Sequence, residues 1–458
     1  MNSLSQYIEL YQQNAQEINA GSADALNALR PAAAEALSRA SLPERGDEDY
    51  EQTSVNEMFA PDYGLNINRM NFQADIAASF RCDVPNMSTL LGVVVNDTFR
   101  PSKSLLSGLP KGVTFTSLRQ AAIENNPVVT ANYGKIAPIA NPTVALNTLL
   151  AQDGVLIHIS RGVRLEKPLQ LVNIFSSPIP MMAPRRILVV LEDGASAKLL
   201  VCDHTQDSKN AYLSSEVVEI ILGADASFDY YTIEESSLMT TRHSDVHCRQ
   251  GQNSRFASGS ITLTCGNTRN NFCIDLAGEH SDCHLAGMVI GSDSQHIDNN
   301  VRLNHLVPHC TSNQLFKYVL DGKSSGAFSG LIHVAENAKF TDANQTDRNL
   351  LASADARMHA KPQLEIYNDD VKCSHGATTG QLDLDALFYM QSRGIPEPEA
   401  RKMLMQAFMA DVIDSVDMEE LRDRLRHLVE RRFSGGLNGC ESCHSGCRNS
   451  ADSQAQTN

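Results

Sequence analysis

Two short stretches hold the side chains best suited to chemistry. In "YNDDVKCSHGATTG", Cys373 and His375 stand two positions apart inside a run of strand composition. Side chains alternate across a strand, so Val371, Cys373, His375 and Ala377 share one face while Lys372 and Ser374 share the other. A thiolate and an imidazole on one face suit zinc, copper or an iron-sulfur species, and Gly376 removes bulk that would hold another backbone away. Two ligands make half a site, so the others must come from elsewhere in the chain or from a second protein. The competing reading is a buried thiol beside a satisfied histidine. Asp369 and Asp370 offer further oxygens, but "YNDD" is also ordinary turn composition, and the turn is the preferred reading.

The second stretch, "CESCHSGC", spaces Cys440, Cys443 and Cys447 as C-x2-C-x3-C with His444 inside. Such a density can wrap around zinc or an iron-sulfur cluster. No fourth ligand is obvious, so exposed thiols in a polar tail are the preferred alternative. Two enzyme signatures fail on context. "GKSSG", residues 322 to 326, matches G-x-S-x-G, yet strand-like "AFSGLIHVA" follows where a nucleophile elbow needs a helix. The same "GKS" lacks the earlier glycine of a phosphate loop, because Lys317 stands there.

The elements that must position these residues are legible from texture. The chain has 458 residues, enough for two or three structural units. Residues 1 to 150 form a helical and mixed region, with "YIELYQQNAQEI" and "SADALNALRPAAAEALSRA" spacing apolar residues three and four apart and ending before Pro43. Residues 151 to 383 read as short strands separated by Gly, Asp, Asn and Ser. Within them Gly194, Gly223, Gly251 and Gly278 recur at intervals of 29, 28 and 27. Near-constant spacing implies stacked coils whose neighbours extend one core, so a parallel β-helix is expected, with a β-sandwich as the competing architecture. Residues 384 to 433 return to helical periodicity, with Gly394 and Pro396 marking a turn and Asp417 an expected cap. Residues 434 to 458 are polar and are expected to form a flexible tail whose cysteines are dispensable for the core.

A formal net charge of -16, from 54 acidic against 38 basic side chains, argues against nucleic acid or an anionic membrane as the main partner. A protein partner or a cation fits better. The N-terminus shows no basic stretch followed by an apolar block, and no apolar run reaches membrane-spanning length, so the cytoplasm is the expected location. Eleven cysteines, an odd number, favour reduced thiols over a disulfide framework.

The run "KPQLEIYNDDVKCSHGATTGQLD", followed by "LFYMQSRGI", closely resembles the SufD-type C-terminal signature of the SufB/SufD family, components of the SUF iron-sulfur cluster assembly system. Weaker similarity covers "SLPERGDEDYEQTS", "LNTLLAQDGVLIHISRGVRLEKPLQLV" and "FSGLIHVAENAKFTDANQTDRNLLAS". The resemblance implies a mainly β fold, a right-handed parallel β-helix core between N-terminal and C-terminal helical parts. It further implies a non-catalytic scaffold subunit that pairs with a SufB-like paralogue, binds a SufC-like ABC ATPase, and helps to assemble a nascent iron-sulfur cluster at the SufB and SufD interface. Carried over by position, His375 falls on the interface histidine with Cys373 as its neighbour. Leu387, Phe388, Arg393, Gly394 and Ile395 fall in the segment that docks the ATPase. The cofactor implied is a transient cluster shared with SufB, and whether a flavin joins the complex is left open. Tyr50 and Gln52 depart from the tryptophan-led aromatic residues of the family's N-terminal signature, so that segment carries no function over. A SufB-type paralogue is one alternative, although "CSHGA" has the SufD wording. A β-helix carbohydrate enzyme is another, and 6% aromatic content with no tryptophan gives it little support.

Overall fold

The computed structural model describes residues 3–75, 88–102, 105 and 108–435. From Val155 onward, consecutive strands fall alternately into two sheets, of nine and ten strands among the described residues, so each pair closes one rung of a parallel β-solenoid. Val155–Ile159 with Leu169–Phe175 makes the first rung, and Arg357–Ile366 with Lys372–Gln381 the eighth and last. Three earlier strands, within residues read as helical and mixed, also join the sheets. Leu90–Val95 and Thr98–Pro101 extend the ten-stranded sheet, while Val113–Ser117 pairs antiparallel at the start of the other.

Strand alternation sorts the side chains into an inner and an outer set. The inner set includes Val189, Leu199, Val218, Tyr230, Phe256, Ile274, Leu303 and Phe316, all buried in one continuous core. Polar residues share that interior. Arg185 and Arg242 both bind Asp203, at 2.8 and 2.9 Å, and Arg242 also reaches Glu216 at 2.9 Å. These charges are sealed from water and therefore survive only by pairing.

The glycine repeat occupies one corner of the solenoid. A Cβ at Gly278 would lie 2.0 Å from the Gln252 amide nitrogen, and one at Gly251 would lie 2.9 Å from the Gly223 carbonyl carbon. Turns stacked this closely exclude side chains. Gly194 serves differently, taking the left-handed position of its corner with φ 69°. Gly223, Gly251 and Gly278 each stand two residues before the corresponding left-handed residue, Asp225, Asn253 and His280.

Helices cover the outer faces of the early and middle rungs. Near the N-terminus, Leu4–Ala20, Arg30–Leu37 and Pro142–Leu150 pack with Met182 and Leu213 of the nine-stranded sheet. The expected long second helix is split into Asp24–Asn27 and Arg30–Leu37, with Pro31 in the first turn of the latter, where its missing N–H costs nothing. Near the C-terminus, Glu397–Asp414 and Glu419–Phe433 lay Met409, Val412, Ile413, Leu421, Leu425 and Leu428 over the ten-stranded sheet. Asp417 does not cap the last helix. Its carboxylate pairs with Lys198 at 3.0 Å and its amide donates to the Tyr231 hydroxyl at 2.9 Å.

Candidate functional site

At the end of the solenoid the cover thins, where the N-terminal region meets the last rung through the pairing of Glu51 with Lys361. In Arg357–Ile366 and Lys372–Gln381 no residue is buried, in contrast to every preceding rung. Among the described residues, one long edge of each strand has no strand beside it. Lys372 donates its amide to Thr341 at 2.8 Å, so by alternation the amides of Cys373, His375, Ala377 and Thr379 point to the open edge. Unpaired edges of this length are templates for another chain.

Cys373 and His375 lie on the inward face of this open rung. In the ladder they stand over Ala343 and Gln345, which are 1% and 0% exposed and face the interior. Cys373 packs beside Ile332, Val334 and Ala338, whereas His375 is exposed. Burial pushes the Cys373 thiol above its ordinary range, the Asp342 carboxylate adds to this, and the Ala343 amide partly offsets it. The resting group is therefore a thiol, and a metal ion must displace its proton to bind. Gly376 lies in open space, since no atom comes within 4 Å of a Cβ built there. Among the described residues no three His, Cys, Asp or Glu side chains are grouped to hold a metal. Asp370 takes part in the last corner, its amide bonded to Asn368 Oδ1 at 3.0 Å and its carbonyl accepting from the Phe340 amide at 2.7 Å.

The carboxyl of Asp347 sits on the same interior face, beneath Ala377 in the ladder. It is 0% exposed, Oδ2 accepts from Asn349 Nδ2 at 2.7 Å, and Oδ1 has no partner among the described residues. Burial pushes this acid up to about 7. Its sequence context, "NQTDRNLL", is polar and gave no sign of a sealed carboxyl.

The segment Leu387 to Ile395 lies in and after Leu384–Ser392, which follows directly on the open rung. Asp383 caps that helix by accepting from the Asp385 and Ala386 amides at 2.9 and 3.0 Å. Leu387 turns inward, while Phe388, at 71% exposure, stands out together with Leu384 and Tyr389. Arg393 lies over the Tyr389 ring at 5.1 Å, and Gly394 makes the turn with φ 85°, followed by the partly buried Ile395. Of the sequence-read residues, Phe388 thus forms the exposed apolar surface of this helix, together with Leu384 and Tyr389.

Residues that tie the C-terminal helices to the solenoid were not legible in the sequence. Lys317, buried on the outer face of its strand, donates to the Phe408 carbonyl at 2.8 Å and pairs with Asp411. Arg432 reaches from the last helix to the Leu263 carbonyl at 2.8 Å and Ser292 Oγ at 2.6 Å. The nominal nucleophile Ser324 is 0% exposed at a corner, donating to the Asp321 carbonyl at 2.7 Å, and a strand follows it. Cys440, Cys443 and Cys447 lie outside the described residues. The seven described cysteines are free thiols. Tyr50 covers Arg269 at 4.5 Å on the outer face of the nine-stranded sheet. No helix among the described residues is long and apolar enough to cross a membrane.

Comparison with known proteins agrees with this architecture. The family model for the SUF system FeS cluster assembly SufBD core domain matches residues 174–408, and that for the SufBD protein N-terminal region matches residues 1–171. An iron-sulfur cluster assembly SufBD family protein of Synechocystis is 30% identical over 414 residues, covering 88% of this chain and 90% of its own length. The iron-sulfur cluster assembly protein SufD of Escherichia coli is 31% identical, covering 64% of this chain and 69% of its own. SufD of Bacillus subtilis is 27% identical, covering 70% and 74%. Matched over nearly its whole solenoid and N-terminal region, the chain belongs to the SufB/SufD family of SUF iron-sulfur cluster assembly proteins.

Proposed function

We propose that this chain is the SufD-type, non-catalytic scaffold subunit of a cytoplasmic SUF complex. Its open rung pairs edge to edge with the corresponding strands of a SufB-type paralogue, and Cys373 and His375 then lie at the seam. A partner thiolate completes the coordination of a nascent iron-sulfur cluster, which is substrate and cargo here rather than a resident cofactor. An open half-site suits this task, because a closed four-ligand site would hold the metal too firmly for transfer. The exposed helix Leu384–Ser392, with Phe388 outermost, takes a SufC-type ATPase by laying an apolar patch into a groove.

The observation that carries this reading is the last rung itself, with two uncovered strands and a thiol and an imidazole on their inward side. His375→Ala tests it. Because His375 is exposed, the variant should melt with the parent chain and still bind both partners, while iron-sulfur enzymes in the cell stay immature. A variant that matures those enzymes normally refutes a role for the imidazole. Loss of folding or of complex formation would instead make His375 a structural residue.

A further inference from the structure

Pairing through the open rung alone leaves a shortfall of area. Two ten-residue strands are roughly 33 Å long and their sheets about 10 Å apart, so the end face offers on the order of 300–500 Å2. A stable interface needs about 800 Å2 from each partner. Contact must therefore continue past the rim.

One corner adjoining the rim is built for that. Along it, each turn before the last carries a left-handed residue: Gly162, Gly194, Asp225, Asn253, His280, His309 and Phe340 in order. The Asn253 amide donates to the Glu279 carbonyl at 2.9 Å, that of His309 to Lys339 at 2.8 Å and that of Phe340 to Asp370 at 2.7 Å, so the positions form one ladder up to the last corner. The first four are residue types that tolerate this backbone. Histidine tolerates it less well than glycine, and for the bulky Phe340, at φ 58°, it is an outlier.

The cost is not recovered by burial. His280 stacks on His309 at 4.8 Å and His309 on Phe340 at 4.8 Å, yet both histidines are exposed and Phe340 is 52% exposed. At the last corner Ile366 and Tyr367 extend the exposed surface to the rim, with Tyr367 60% exposed and 5.5 Å from the His333 ring. The opposite corner of the rim, residues 352–356, reads "ASADA" and offers nothing large and apolar.

We propose that the subunit seated across the open rung folds over this corner and anchors on the His280, His309 and Phe340 ladder and on Tyr367. Preorganised, exposed rings at one flank of a pairing edge are the chemistry of an interface hot spot, and they ask the partner for planar side chains, aromatic or guanidinium. The inference rests on the pairing reading above.

Phe340→Asn with Tyr367→Ser, in the full chain, tests it against purified SufB-type subunit. Asparagine accepts the left-handed backbone, so the isolated variant should melt no lower than the parent; if it does melt lower, Phe340→Asn and His309→Asn are measured singly. Ala377→Pro, which removes an amide at the open edge, is the companion variant. Both changes should weaken the heterodimer about tenfold or more. Weakening by Ala377→Pro alone overturns the corner anchor and leaves edge pairing standing. Weakening by the corner variant alone moves the interface off the rim and overturns the inference as stated. If neither changes the affinity, the pairing reading falls and the anchor falls with it.

Discussion

Asp347→Asn should change how the stability of the chain depends on pH. The carboxyl is sealed under the open rung, between Phe316 and Ala377 in the ladder, with one hydrogen bond from Asn349 and, among the described residues, no partner for Oδ1. Burial raises it from the ordinary aspartate range to about 7, so the folded protein holds its proton at pH values where the unfolded chain has lost it. Between pH ~4 and ~7 the native state then binds one proton more, and stability falls by about 1.4 kcal/mol per pH unit from this group alone. Over that window the loss amounts to roughly 4 kcal/mol; it is absent below pH ~4 and complete above ~7. Asparagine keeps the shape and the bond to Asn349 but carries no proton to lose.

The assay is urea denaturation of parent and variant from about pH 5 to about pH 8, compared as a difference. Glu234, also raised to about 7 by burial, tilts both curves alike and cancels. The variant should gain on the parent by about 1 kcal/mol per pH unit and level off above pH ~7. A solenoid can open rung by rung from its end, so amide exchange in Asp342–Leu351 should report the same slope locally. Parallel stability curves for the two proteins across this range would refute the claim that Asp347 is held as the acid.

Two further outcomes follow from the same geometry. Gly278→Ala drives a Cβ into the Gln252 backbone at 2.0 Å and should cost more than about 3 kcal/mol, seen as a large fall in melting temperature, whereas Gly376→Ala meets nothing within 4 Å and should stay within about 0.5 kcal/mol of the parent. Phe388→Asp should abolish capture of the SufC-type ATPase in a pull-down while leaving the melt unchanged, because the ring is 71% exposed. Truncation after Asp383 is the poorer test, since it also uncovers Met288, Ile290 and Val319 beneath the last two helices.

Much of the architecture was legible in the residues. Turn-bounded strand runs and near-constant glycine spacing reflect a repeated local demand, a tight corner in every coil, and such demands appear in sequence because backbone sterics act over a few residues. The turn at Gly394 was likewise local, whereas the break before Pro31 was read through as one helix. The four glycines nevertheless looked equivalent and are not, because three answer to contact between successive turns and Gly194 to its own φ. Asp417 looked like a cap from its position, but a long-range pairing with Lys198 claimed its carboxylate.

The candidate site divides in the same way. That Cys373 and His375 share a face follows from the period of a strand, and the sequence by itself determines it. Period two does not say which face is inward; the register of Lys372–Gln381 on Ala343 and Gln345 decided that. Nor does it say that these strands come last in the stack and stay uncovered, which depends on where the helical layers end. The pairing of Lys317 with Asp411, the stacking of His280, His309 and Phe340, and the sealing of Asp347 all join residues that are neighbours only once the coils are wound. Local stereochemistry is written residue by residue along the chain, whereas burial, charge pairing and an open edge are properties of the stacked rungs, and only the tertiary structure could decide them.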